Sequence, residues 1–140
     1  MNRPTLRRKV HWSPNVKLTE HFDLDEFACH DGAPVPSEYM PNVTKLAQAL
    51  EVLRAYLGKP ITIASGYRTK AWNDAHGGAE HSQHMTASAA DLVIAGTGPA
   101  ATKAALEQLI KDGKIPQGGI GLYTSFCHYD VRGTAARWNG

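Results

Sequence analysis

Apolar residues recur at three- and four-residue steps from Val43 through Leu46, Leu50 and Leu53 to Leu57, the period of a helix with one buried stripe. Gly58 and Pro60 stop it, the glycine as a left-handed cap and the proline because it lacks a donor. Ile61-Thr62-Ile63-Ala64 changes the pattern to a β-branched run between Pro60 and Gly66, which predicts a short strand. Thr69 is placed to cap a brief helix ending before Gly77-Gly78, and Ala90-Asp91-Leu92-Val93-Ile94 reads as the second strand. Pro99 opens a helix through Ala101, Ala105, Leu109 and Ile110, closed by Gly113. Two strands, 120–123 and 126–132, follow on either side of Thr124-Ser125. Upstream, residues 21–27 predict a short helix with Asp23 as N-cap and Glu26 completing a capping box. The prolines and glycine of 30–41 predict a loop. Close pairing of the last two strands makes the expected fold α+β, a single domain with a small antiparallel sheet flanked by helices.

Composition agrees. A chain of 140 residues, 42% hydrophobic and 20% charged, forms one domain. It buries roughly 65–70% of its unfolded surface, enough for a core without staples. Collagen-like, disordered and disulfide-dense classes are excluded, and no apolar run is long enough to span a bilayer. Charge is uneven: residues 1–18 hold five bases and no acid, whereas the rest holds ten bases against thirteen acids. The chain therefore divides into a basic arm, 1–18, and a mildly acidic domain, 19–140. Such an arm attracts a polyanion such as nucleic acid or an anionic cell wall, or is a solvated terminus. No apolar segment follows its arginines, so no secretory signal peptide is expected. Cys29 and Cys127 form no CxxC pair; each precedes a histidine, and buried reduced thiols are the expectation.

Histidine is concentrated at His76, His81 and His84, and Asp91 follows at the head of an apolar strand. A buried carboxylate there is costly unless something neutralises it. His128 is central in another apolar strand. Two imidazoles and a carboxylate are the ligand type of a catalytic zinc, with a fourth position open to water. The same residues also fit a turn cap, a strand-end cap and a hydrogen-bonded core histidine, and spacing by itself does not choose.

Longer motifs carry a resemblance. Ser82-Gln83-His84-Met85-Thr86-Ala87-Ser88-Ala89-Ala90-Asp91 resembles the S-x-H-x-x-G-x-A-x-D signature of the zinc D-Ala-D-Ala carboxypeptidase family. That family also holds murein endopeptidases and is related in fold to the hedgehog signalling domain. Ser65-Gly66-Tyr67-Arg68, Gly118-Gly119-Ile120-Gly121-Leu122-Tyr123 and Phe126-Cys127-His128-Tyr129-Asp130 agree in order, and Arg137-Trp138 resembles the close of the short bacterial and phage branch. The resemblance covers about residues 20–138. It implies one Zn²⁺ per chain on His84, Asp91 and His128. It also implies that Arg68 reaches into the cleft to hold a substrate carboxylate or a developing oxyanion. Ser82 would support the His84 loop and, with Tyr67, belong to the substrate-binding side chains. Trp72, Tyr123 and Trp138 are further candidates for groove walls, against the commoner fate of aromatics as core. His76 and His81 are expected at the cleft mouth or in solvent, and Cys29-His30 in loop packing.

Two positions depart from the pattern. Ala87 replaces the signature glycine, which costs energy if the site needs positive φ. Ser125 stands where related members place a carboxylate base, three residues before the last histidine. Residues i and i+2 share a strand face, so Asp130 becomes the first candidate for the base and Glu80 the second. The alternative for Asp130 is to orient a ligand histidine or pair with Arg68. The resemblance thus implies a zinc metallopeptidase acting on peptidoglycan stem peptides or cross-links, a DD-carboxypeptidase or murein endopeptidase, such as a phage-type endolysin. It would work as a monomer without nucleic-acid or membrane partners, cytoplasmic until released at lysis or exported by another route. The rival is a non-catalytic zinc-containing module that binds the wall or a partner.

Overall fold

The predicted stripe forms the inner face of α1 (Met40–Leu57) in a computed structural model that describes residues 15–140. Gly58 ends the helix at φ 67°, its N–H bonded to Arg54 O at 2.8 Å. Val43, Leu46, Leu50 and Leu53 are fully buried, each contributing about 1.5–3 kcal/mol of apolar transfer. Before α1, β1 (Lys17–Thr19) and β2 (Phe22–Asp23) make a small antiparallel hairpin. The helix expected over 21–27 is a single 3₁₀ turn, Leu24–Phe27, entered with Glu26 Oε2 accepting the Asp23 N–H at 2.8 Å. Val16 O accepts the Leu24 N–H, so Val16, Lys17 and Leu18 belong to this hairpin layer. The rest of the basic arm, residues 1–14, lies outside the described residues.

The remaining elements are β3 (Thr62–Ser65), α2 (Lys70–Ala75), β4 (Ala89–Val93), α3 (Pro99–Lys111), β5 (Gly119–Leu122), β6 (Cys127–Asp130) and β7 (Ala136–Asn139). Five strands form one sheet in the order β3-β4-β6-β5-β7. The first three pairings are antiparallel, but β5 and β7 run parallel, so the sheet is mixed at one edge. This corrects the purely antiparallel expectation; β7 was not legible because it alternates exposed and half-buried positions without an apolar run. Ala90, Leu92, Ile120, Cys127 and Tyr129 join the core with Leu46, Leu50, Leu106 and Leu109, so α1 and α3 cover the same sheet face. Successive strand residues alternate sides, leaving Asp91 and His128 on the other face. The class is α+β. Among the described residues, no helix is long and apolar enough to cross a membrane.

Candidate metal centre and cleft

Sheet register assembles the site. Ser65 pairs with Asp91, Asp91 with His128, His128 with Gly121 and Gly121 with Trp138, a single row across all five strands. His84 enters from a 3₁₀ turn, Gln83–Thr86, capped by Ser82, whose Oγ accepts from His84 N–H at 3.2 Å. Arg68 N–H donates to His84 O at 3.0 Å and ties this turn to the segment after β3. Ala87 closes the turn at φ 58°, ψ 30° and is the one non-glycine at positive φ among the described residues. The conformation that favours glycine is therefore kept with an alanine in it, at a cost of roughly 1–2 kcal/mol.

The ligand atoms of His84, Asp91 and His128 all lie within 4.8 Å of one another, and all three residues are buried. The proton positions follow from the outer contacts. His84 Nδ1 is 2.7 Å from Gly66 O, and His128 Nε2 is 2.7 Å from Asp130 Oδ2. A carbonyl and a carboxylate only accept, so each outer nitrogen carries the ring proton. The inner nitrogens, His84 Nε2 and His128 Nδ1, then aim lone pairs at the same Asp91 Oδ1, at 3.3 and 3.2 Å. Three acceptors converging in a buried place require a cation or extra protons. A divalent metal fits this set, and two nitrogens with one carboxylate are a zinc-type donor set. Burial pushes the Asp91 carboxyl up, but the His128 and His84 contacts outweigh it and hold it well below the usual range. Burial pushes the His128 imidazole down, and Asp130 and Asp91 reverse this to a raised value.

A cleft of about 590 Å³ opens over the trio. Arg68, the 76–83 segment, the aromatic side chains of Tyr123, Phe126 and Trp138, and Arg132 line it. All three guanidinium nitrogens of Arg68 are engaged: Nε with Ser65 Oγ (3.2 Å), Nη1 with Asn73 Oδ1 (3.4 Å) and Nη2 with Asp91 Oδ2 (3.4 Å). Asn73, fully buried, also donates to Ala79 O at 2.8 Å and so links Arg68 to the mouth of the cleft. Glu80 and His81 are exposed at that mouth.

Two aromatic expectations need correction, whereas those for the cysteines and His30 hold. Tyr67 does not line the cleft; it is buried in the core with its ring 6.2 Å from that of Tyr39. Trp72 is also outside, stacked between His30 at 6.0 Å and His76 at 3.8 Å. His30 Nε2 meets Ala64 O at 2.7 Å, so the Cys29-His30 loop packs against β3. Both cysteines are free and buried, and burial pushes the Cys127 thiol up to about 12.

Asp130, the first candidate for the base, does not line the cleft. The i+2 rule placed it on the correct face, but the His128 ring stands between it and Asp91, with Nε2 toward Asp130 and Nδ1 toward Asp91. Its side chain is 0% exposed. Oδ1 accepts from Gly119 N and Arg132 Nε, each at 2.9 Å, and Oδ2 from His128 Nε2 at 2.7 Å and Arg132 Nη2 at 2.8 Å. Burial pushes its carboxyl up, yet these donors outweigh it and hold it well below the usual range. Both oxygens are spent on orienting contacts. Arg132 itself escaped the sequence reading, although the same alternation, 128, 130, 132, points to it.

The glycines of the 118–123 run make room for this layer. A Cβ on Gly119 would meet the Asp130 carboxylate, and one on Gly121 would meet the Trp138 indole. Trp138 in turn lies with its ring 4.9 Å from that of His128. Gly121→Ala is therefore expected to lower stability by about 1–3 kcal/mol through overpacking. A denaturant midpoint unchanged from the parent would show that β7 yields freely.

The sequence matches the family model described as Peptidase M15 over residues 20–130, a span that includes Arg68, His84, Asp91, His128 and Asp130. No curated protein matches the chain. With the matched span covering most of its length, this chain belongs to the peptidase M15 family of zinc-dependent metallopeptidases.

Proposed function

We propose that the chain is a peptidoglycan peptidase that hydrolyses peptide bonds of stem peptides or their cross-links, with zinc held by His84 Nε2, an Asp91 carboxylate oxygen and His128 Nδ1. The observation that carries this reading is the convergence of three buried acceptors beneath an open cleft. When bound, zinc supplies an activated water and polarises the scissile carbonyl. Gly66 O and Asp130 hold the two imidazoles by their outer nitrogens, keeping the inner lone pairs aimed at the metal position. Arg68, fixed by Ser65, Asn73 and Asp91, stabilises negative charge developing on the substrate oxygen. Two carboxylates line the cleft, Asp91 and Glu80. Asp91 belongs to the metal trio, so Glu80 takes the proton and returns it to the leaving amine. Ser82 acts through the turn it caps. The basic arm adds attraction to anionic walls, screened as salt rises above roughly 0.15 M.

The test is mass spectrometry of muropeptides after incubating purified peptidoglycan with zinc-loaded protein. Release of terminal D-Ala marks a carboxypeptidase, and separation of cross-linked or stem fragments marks an endopeptidase. A chelator should abolish either. Wall co-sedimentation that survives chelation, with no fragment released, would replace this reading with a non-catalytic module.

A further inference from the structure

We infer that Arg132 is a second anion-binding residue of the cleft, which receives a carboxylate of the substrate peptide on its Nη1 edge. The inference rests on the peptidase reading and specifies its substrate as an anionic peptide.

Arg132 differs from Arg68 in what it leaves uncommitted. Its Nε and Nη2 form a two-pronged contact with Asp130, at 2.9 and 2.8 Å. Its Nη1 makes no hydrogen bond among the described residues, and 30% of its side chain is exposed where it lines the cleft. Orienting Asp130 needs only the Nε–Nη2 edge. The opposite edge carries two N–H groups, fixed in direction because the first edge is anchored. A guanidinium held in this way is suited to a carboxylate, which it meets with a planar, charge-assisted contact.

Trp138 connects this position to the trio. Its ring lies 5.6 Å from the Arg132 guanidinium carbon and 4.9 Å from the His128 ring. The indole thus neighbours both the Arg132 guanidinium and a histidine of the trio, in the same cleft. Charge points the same way. Asp91 and Asp130 are balanced by Arg68 and Arg132, so a divalent cation in the trio leaves positive charge that Glu80 alone does not cancel. Anionic substrates are then drawn in and neutral ones are not.

The experiment compares a stem peptide with a set in which each carboxylate is singly converted to its amide. Cleavage kinetics and equilibrium binding are measured for the parent, Arg132→Gln and Arg132→Lys. In the parent, one amidation should raise KM and weaken binding by ~10–100-fold, the size of a lost charge-assisted bond. Arg132→Gln should erase that preference, and Arg132→Lys should keep part of it. Metal analysis runs alongside, because loss of zinc would report the Asp130 contact instead. The inference is overturned if every amide behaves like the free acid in the parent, or if Arg132→Gln weakens acid and amide peptides equally. Absence of cleavage in the parent would refute the peptidase reading alone, since binding still decides whether Arg132 discriminates.

Discussion

His84→Ala protein is expected to remain folded and to lose stoichiometric zinc. The imidazole makes two distinct contributions. Its Nδ1–H is bonded to Gly66 O at 2.7 Å, and its Nε2 faces Asp91 Oδ1 at 3.3 Å. The first is a buried hydrogen bond whose loss leaves the carbonyl unpartnered and costs about 1–3 kcal/mol. Part of that loss is returned, because one of three converging acceptors disappears with the ring. The second contribution has no substitute, since Ser82 and Met85 bring no nitrogen to the place. Losing a residue that only orients a ligand costs about 10–100-fold in metal affinity, so losing the ligand should exceed that range. Hydrolysis of peptidoglycan should fall to background in step. Metal analysis and a thermal unfolding curve together decide the matter. Full zinc retention by a folded His84→Ala protein would remove this histidine from the metal site.

The extent to which the sequence disclosed this arrangement follows the range of each signal. Helix α1 was legible because its stripe and its Gly58 stop are local, and β4 because five consecutive residues are β-compatible and bounded. Strand β7 is held by parallel pairing to β5, between residues seventeen apart in sequence, and its own four residues carry no apolar run that would announce it. The trio could be named from motif spacing, yet its geometry depends on Asp91 and His128 standing opposite each other across β4 and β6. Tyr67 fell on the wrong side for a related reason. Its neighbour Arg68 faces the cleft, and adjacent residues of an extended segment point in opposite directions, so Tyr67 turns into the core. Ala87 shows the converse case: a residue type that argues against a left-handed turn is overruled by the close bonding of Ser88 N to Gln83 O at 3.0 Å.

Asp130→Asn separates the two roles that the sequence left open for this aspartate. The substitution keeps the shape but gives one oxygen where two were used. If the amide oxygen faces His128 Nε2–H, its NH₂ group confronts the Gly119 N–H and Arg132 Nε–H that Oδ1 now satisfies. If the NH₂ faces His128, Nε2 must accept and the ring proton moves to Nδ1, the atom assigned to the metal. Either arrangement costs about 1–3 kcal/mol, and both weaken the metal site. Zinc affinity should therefore fall by about 10–100-fold, and activity should recover when zinc is in excess. A general base would behave differently. Its loss lowers the rate by ~10²–10⁴-fold with the metal site full, and no amount of zinc restores it. Titrating zinc into the variant while following muropeptide release distinguishes the two. Recovery of the parent rate at saturation leaves Asp130 as the residue that orients His128 and makes Glu80→Gln the variant in which proton transfer should fail. A rate that stays depressed at full zinc occupancy would return Asp130 to the chemistry and require the His128 ring to swing aside during turnover.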